Sequence, residues 1–187
     1  MPVLKLILQL VLCLTLAACT PAFTEQNGRQ LAAQARIADS VDIERGNQRL
    51  LSRQAQLCLV SDSTGSEAGL TVLRSMQAAL GGYFVAVGVE NEPMDYLRAL
   101  SITVCPTATY LFYVQPVASI GCKDAEACAD ANYSQFIITI VNSGDRSLLD
   151  RIKLSLKKGI LPLDQNNQQR LQRSFEQLAV ELTGSGS

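Results

Sequence analysis

The feature that most limits what this chain can become is the apolar run at its amino terminus. A short stretch with a single positive charge, at Lys5, precedes the run Leu6–Leu16, which is almost entirely apolar. That run is shorter than the roughly 20 apolar residues needed to cross a bilayer, and small residues follow it. The pattern is typical of a secretory signal peptide. We therefore expect the remainder of the chain to fold after export, where disulfides can form.

The end of this run, Leu16-Ala17-Ala18-Cys19, resembles the lipobox of bacterial lipoproteins. The resemblance implies cleavage between Ala18 and Cys19, a thioether-linked diacylglyceryl group on the Cys19 thiol, and acylation of the new amino group. One acyl chain binds a membrane only marginally, whereas several anchor a protein stably. The alternative is an ordinary signal-peptide cleavage site that happens to precede a cysteine, because Leu16-Ala17-Ala18 also fits the small-residue pattern at which ordinary signal peptides are cleaved.

The residue after the predicted lipidated cysteine is Thr20 rather than aspartate. By resemblance to lipoprotein sorting in enterobacteria, this favours transfer to the outer membrane. The resemblance thus implies a protein anchored by lipid on Cys19 to the inner leaflet of the outer membrane and facing the periplasm. The corresponding domain prediction is a signal peptide at 1–18, a lipidated tether at 19–54, one domain at 55–183 and a disordered tail at 184–187.

Composition excludes several classes of activity. Removal of residues 1–18 from the 187-residue chain leaves 169, enough for one domain and a tether. The full chain has a net charge of −1 and no basic stripe, so we expect no nucleic-acid partner. It also contains no histidine, which removes the commonest general base and zinc ligand. With neither a G-x-S-x-G nor a Walker motif, we expect no enzyme, no metal and no cofactor.

Four cysteines remain once Cys13 and Cys19 are set aside: Cys58, Cys105, Cys122 and Cys128. An even number in an exported domain indicates disulfides, for which three connectivities are possible. Pairing Cys122 with Cys128 closes a short loop and is the simplest arrangement, which leaves Cys58 for Cys105. The alternatives are a metal or a redox site. However, C-x₅-C without histidine is not zinc-like spacing, and no C-x-x-C is present.

The periodicity of the chain predicts an α/β (α+β) domain. We expect strands at 57–60 and 83–89, separated by a helix that starts at a Thr64-x-x-Glu67 capping box and ends at Gly81-Gly82. A short helix capped by Asn91 follows. Beyond it we expect strands at 109–117, 133–141 and 146–157, the last two joined by the turn 142–145. The order β-α-β-α-β-β-β-α, closed by a helix, predicts a mixed sheet with helices packed on it.

The closing helix has the clearest pattern. Asp164 can cap its start, and apolar residues recur at spacings of four, three and four. We expect one buried stripe made of Leu171, Phe175, Leu178 and Leu182.

The strand at Tyr110–Val114, the hairpin across Asn142–Asp145 and the amphipathic helix after Pro162 together resemble uncharacterised proteobacterial lipoproteins. Those share the compact α/β domain of the amino-terminal part of TolB and of the penicillin-binding-protein activator lipoproteins. The resemblance covers residues 57–182 and rests on pattern rather than on a motif. The segment Cys122–Cys128 has no counterpart in it.

Three polar clusters are candidate sites. The first makes the last hairpin basic: Arg146, Arg151, Lys153, Lys157 and Lys158. It is either the charged solvent face of an edge strand or a docking surface for an acidic partner or peptidoglycan. The second, Ser61–Ser66, either caps the following helix or holds an anion. The third comprises Asp124, Glu126 and Asp130, for which we expect a solvated loop rather than a calcium site.

Two functions remain open at this point. The first is a tethered envelope module for protein–protein interaction or assembly, with an envelope protein as partner. The second is a periplasmic domain that binds a small ligand or glycan. A buried apolar pocket with converging polar groups would favour the second function. A flat surface with an exposed sheet edge would favour the first.

We expect Cys19→Ser to abolish lipid attachment and to leave a larger, unprocessed precursor, because serine lacks the thiol that carries the lipid. Metabolic labelling with a palmitate analogue, followed by electrophoresis, measures both effects. Label retained on the serine variant would place the anchor elsewhere.

Overall fold

The fold is seen in a computed structural model that describes residues 41–102, 104–118, 133–160 and 163–184. The strands in these ranges are β1 (Val41–Arg45), β2 (Gln56–Val60), β3 (Ala86–Val89), β4 (Tyr110–Ala118), β5 (Tyr133–Asn142) and β6 (Leu148–Ile160). The helices are α1 (Glu67–Leu80), α2 (Tyr96–Ser101) and α3 (Gln165–Thr183), with a 3₁₀ turn at Ser63–Gly65.

All six strands form one mixed sheet in the order β1-β6-β5-β4-β2-β3. β2 is parallel to both of its neighbours, β3 and β4, and the remaining pairs are antiparallel. Parallel neighbours need crossover connections, which the stretches containing α1 and α2 provide. The predicted α/β class with a mixed sheet is confirmed.

The larger core lies on one face of the sheet, under α1 and α3. Phe112 and Phe136 from the sheet are buried there, and the ring of Phe136 meets that of Phe175 edge-on at 5.5 Å. The predicted stripe of α3 is confirmed, since its four members are fully buried: Leu171, Phe175, Leu178 and Leu182. Asp164 caps this helix by accepting from the Asn166 amide.

A smaller core lies on the opposite face, where α2 packs over β2, β4 and the end of β5 at Val141. It contains Cys58 and Tyr113 from the sheet, Ala99 from α2, and Met94 just before that helix. A disulfide joins Cys58 on β2 to Cys105 in the loop before β4. The predicted pairing of these two cysteines is therefore present, while Cys122 and Cys128 lie outside the described residues.

The predicted boundary between tether and domain at residue 55 is wrong. Val41–Arg45 forms β1, which pairs antiparallel with β6 from Val41 opposite Leu156 to Arg45 opposite Ile152. Val41 and Ile43 then pack against the main core. Their partners lie more than a hundred residues away in sequence, so local periodicity gave little sign of the strand. The rest of the predicted tether, 19–40, lies outside the described residues.

Two helix starts differ from the predicted ones. Ser66, rather than Thr64, caps α1, because its hydroxyl accepts from the Gly69 amide at 3.0 Å. Thr64 belongs instead to the 3₁₀ turn. Asp95 rather than Asn91 caps α2, accepting from the Arg98 amide at 2.8 Å. In both cases the first-turn amide is satisfied by a side-chain oxygen of a residue that lies nearer to the helix than the predicted cap.

The ends of two helices also differ from expectation. Gly81 after α1 keeps right-handed backbone angles, with φ at −60°. The left-handed glycine is Gly184, with φ at 67°, which ends α3. Gly184, which was predicted to belong to the disordered tail 184–187, is therefore the cap of α3, and residues 185–187 lie outside the described part.

Gln77 interrupts the apolar face of α1 for a specific reason. Its side-chain amide donates to the carbonyl oxygen of Val87 on β3 at 2.7 Å. β3 is an outermost strand of the sheet, and exposed strand edges invite pairing with other chains. Gln77 thus occupies one backbone acceptor on that edge.

Candidate interaction surface

On the side of the sheet opposite α1 and α3, no described helix covers β1, β6, most of β5 and the end of β4, and we call this surface the open face. Ile152, Leu154 and Leu156 of β6 are buried under the helices. Because side chains alternate along a strand, Arg151, Lys153 and Ser155 point the other way. The register adds their neighbours on the open face: Glu44 and Asp42 from β1, Thr139, Ile137 and Gln135 from β5, and Gln115 and Val117 from β4.

The structure brings together only part of the predicted basic set. Arg151 and Lys153 lie on the open face. Lys157 and Lys158 are exposed where β6 continues beyond its pairing with β1. Arg146 lies in the hairpin turn, with φ at 61°, and donates to the Ile102 carbonyl at 3.1 Å. The expectation that these residues line an edge strand is wrong, because β1 pairs with β6 and takes the edge position.

Lys153 and Arg151 differ in their partners. Lys153 forms an ion pair with Glu44 at 2.9 Å, with both side chains about half exposed. Pairs of this kind contribute little to stability. Arg151 is exposed, and its guanidinium has no ion-pair or hydrogen-bond partner within the described ranges. It is therefore the open-face cation available to a partner.

Two shallow clefts on the open face share Arg151. One, of about 270 Å³, is lined by Tyr96, Gln115, Thr139, Leu148 and Arg151. The other, of about 460 Å³, is lined by Glu44, Arg45, Gly46, Ile137, Arg151, Ile152 and Lys153. Both are open to solvent. They are surface depressions lined by both polar and apolar side chains rather than buried apolar pockets.

Arg151 is held in place by the preceding residue. Asp150 is buried, and its Oδ1 accepts from the backbone amides of Asn47 and Arg151, both at 2.8 Å. Its Oδ2 accepts from the Arg45 guanidinium at 2.8–2.9 Å. The backbone at Arg151 is therefore fixed from the core side while the side chain extends onto the open face.

The hydroxyl-rich segment Ser61–Ser66 follows β2, at the carboxyl end of a parallel strand where α/β proteins often bind ligands. Its hydroxyls are occupied internally: Ser63 donates to the Asp62 carboxylate at 3.0 Å and lies 3.1 Å from the Ser61 hydroxyl. Ser66 caps α1. Gly69 fits here because a Cβ at that position would overlap the Ser63 carbonyl oxygen. This supports the capping interpretation over anion binding.

Tyr113 connects this segment to the smaller core. Its side chain is 2 % exposed, and its ring packs against that of Tyr96 with centroids 5.2 Å apart. Burial, the nearby charges of Asp62 and Asp95, and a hydrogen bond to Asp62 raise the pKa of Tyr113 to about 12. The phenol is thus a neutral hydrogen-bond donor at physiological pH.

Several predicted features cannot be placed. Cys19 and the acidic residues Asp124, Glu126 and Asp130 lie outside the described residues. Within the described ranges, no three metal-ligating side chains come together. None of the described helices is long and apolar enough to cross a membrane.

No protein-family model and no curated protein matches the chain. A solved structure, the PelC dodecamer from Paraburkholderia phytofirmans, matches with a TM-score of 0.50 at 9 % identity. The match covers 77 % of this chain and 98 % of that one. A single-substitution variant of the same PelC gives a TM-score of 0.49 at 9 % identity, covering 76 % and 98 %. At this identity the likeness concerns the fold alone. The resemblance to the TolB and activator lipoproteins stays a prediction.

We expect the Tyr113 phenol to ionise near pH 12, against 10.0 for an unperturbed tyrosine. Because the folded-state pKa is raised, its contribution to stability is complete below pH 10 and is lost as the pH rises towards 12. Ultraviolet titration of phenolate absorbance, with Tyr113→Phe subtracted, isolates this residue. Asp62→Asn should lower the midpoint, since it removes a charge and changes the hydrogen bond. A wild-type midpoint near 10 would show that burial and the neighbouring carboxylates do not raise the pKa of Tyr113.

Proposed function

We propose that this chain is a cell-envelope lipoprotein, anchored to the outer membrane through Cys19, that acts as a protein–protein interaction or assembly-accessory module without catalysis of its own. The open face carries the proposal. It offers a protein partner a broad surface of charged and polar side chains together with the half-buried Ile137 and the exposed Val117.

The composition of the open face suits protein contacts. Arginine is enriched at protein interfaces, and flat surfaces with a mixture of apolar and polar groups are common there. Among the described residues, β1 and β3 are the outermost strands of the sheet, and a sheet edge is a common place for another chain to pair. The described clefts are open, whereas sites for small ligands usually enclose most of their ligand.

One observation bears on which protein the partner is. One solved structure with a similar fold is described as a PelC dodecamer. A further copy of this chain is therefore the first partner to test. An unrelated envelope protein is the second.

Binding of a small ligand or glycan is the other candidate function. Its support is the cleft beside Tyr96, where an aromatic ring and polar side chains line one depression. The cleft is small, and a glycan that used it would extend across the open face.

The proposal is tested by placing a photo-crosslinking amino acid at Ser155 on the open face and, as a matched control, at Arg74 on the exposed side of α1. In living cells we expect light-dependent protein adducts from position 155 and none from position 74. Adducts at multiples of the chain's own mass would identify self-assembly. Absence of adducts from several open-face positions, with normal protein levels, would refute the proposal.

A further inference from the structure

We propose that the cleft lined by Tyr96, Gln115, Thr139, Leu148 and Arg151 is a carboxylate-binding site, and that an acidic segment of a partner protein occupies it. This inference rests on the proposed function and adds the chemistry by which the partner is recognised.

Three hydrogen-bond donors line this cleft and donate to no other group among the described residues. The guanidinium of Arg151, the side-chain amide of Gln115 and the hydroxyl of Thr139 have no hydrogen-bond partner among the residues that the structure describes. A guanidinium presents paired N–H groups that fit the two oxygens of a carboxylate. An amide and a hydroxyl beside it can donate to the remaining lone pairs. The combination selects a carboxylate over a neutral or cationic group.

The cleft also has apolar walls. Tyr96 is held by its contact with Tyr113, and Leu148 is 61 % exposed. A partner that covers these side chains removes water from around Arg151, which strengthens the contact between guanidinium and carboxylate. Burial of Leu148 then adds a favourable apolar contribution to binding.

The charges nearby favour Arg151 as the point of attachment. The cation next to it on the open face, Lys153, is already paired with Glu44 at 2.9 Å. The chain as a whole has a net charge of −1. An acidic ligand is therefore not drawn to the protein by its overall charge. Its binding would depend on the local groups in the cleft.

The geometry of β6 favours a peptide over other carboxylate carriers. Arg151 and Lys153 are alternate residues of one strand, so they are separated by about 6.7 Å along it. Alternate side chains of an extended peptide have the same spacing. A peptide with acidic residues at alternate positions could place one carboxylate at Arg151 and the next at Lys153, where it would replace Glu44.

The test measures binding of a fluorescein-labelled oligoglutamate peptide to the purified full chain by fluorescence anisotropy. We expect saturable binding that weakens with added salt. Arg151→Gln should raise Kd at least about tenfold, the loss typical of removing a charged hydrogen-bonding group. The matched control is Arg74→Gln, which changes net charge equally on the other side of the molecule and should leave Kd within about twofold.

Two further measurements separate the possible outcomes. Thr139→Val keeps the shape of the side chain but removes one hydrogen-bond donor. We expect it to raise the Kd of the peptide measurably. Oligogalacturonate, a carboxylated glycan, should bind less tightly than the peptide. Failure of the peptide to bind, equal losses in the Arg151 and Arg74 variants, or binding of the glycan alone would each overturn the inference. The crosslinking result at Ser155 does not depend on any of them, so the proposed function could survive such a failure.

Discussion

The buried ion pair between Arg45 and Asp150 is the interaction on which the described structure most depends. Their side chains are only 8 % and 3 % exposed. Arg45 also donates to the carbonyl oxygens of Glu181 on α3 and Arg49 in the loop after β1. One guanidinium therefore joins the first strand, the following loop, β6 and the last helix. Removing one partner of a buried pair typically costs about 3–5 kcal/mol, because the remaining charge stays buried.

This ion pair determines what the open face can present. β1 can take the edge position only if it stays on β6, and β6 is then an internal strand supported on both sides. Asp150 faces the core and binds the amide of Arg151, whose side chain faces the other way. Asp150, which belongs to the buried network, and Arg151, the proposed attachment point, are therefore consecutive residues. A rigid backbone under an exposed guanidinium lowers the entropy lost when a partner binds.

Local patterns in the sequence predicted much of the fold. The stripe of α3 repeats over three turns, and the strands around the turn 142–145 alternate clearly, so both were found near their observed bounds. β1 was missed as part of the domain because five residues, Val41–Arg45, gain their stability from a strand far along the chain. The cap of α1 was assigned to Thr64 because its pattern fits, but the 3₁₀ turn moves the helix start to Ser66.

The candidate site was predicted only in part. The sequence singled out the cations of the hairpin, including Arg151 and Lys153. It could not show that Tyr96 and Gln115, from α2 and β4, line the same cleft as Arg151. These residues are neither periodic nor charged, and they meet through the register of the sheet. The role of Gln77 was equally hidden, because only the folded structure places its amide at the edge of β3.

Under the proposed function, this protein engages its partner through the open face at Arg151. The most direct measurement is complementation of a deletion strain by the full-length protein carrying Arg151→Glu or, as the matched charge reversal on α1, Arg74→Glu. Protein level and thermal stability are determined for each strain's product. We expect Arg74→Glu to restore the wild-type envelope phenotype and Arg151→Glu, although equally abundant and equally stable, to fail to restore it. Full complementation by Arg151→Glu would contradict this expectation.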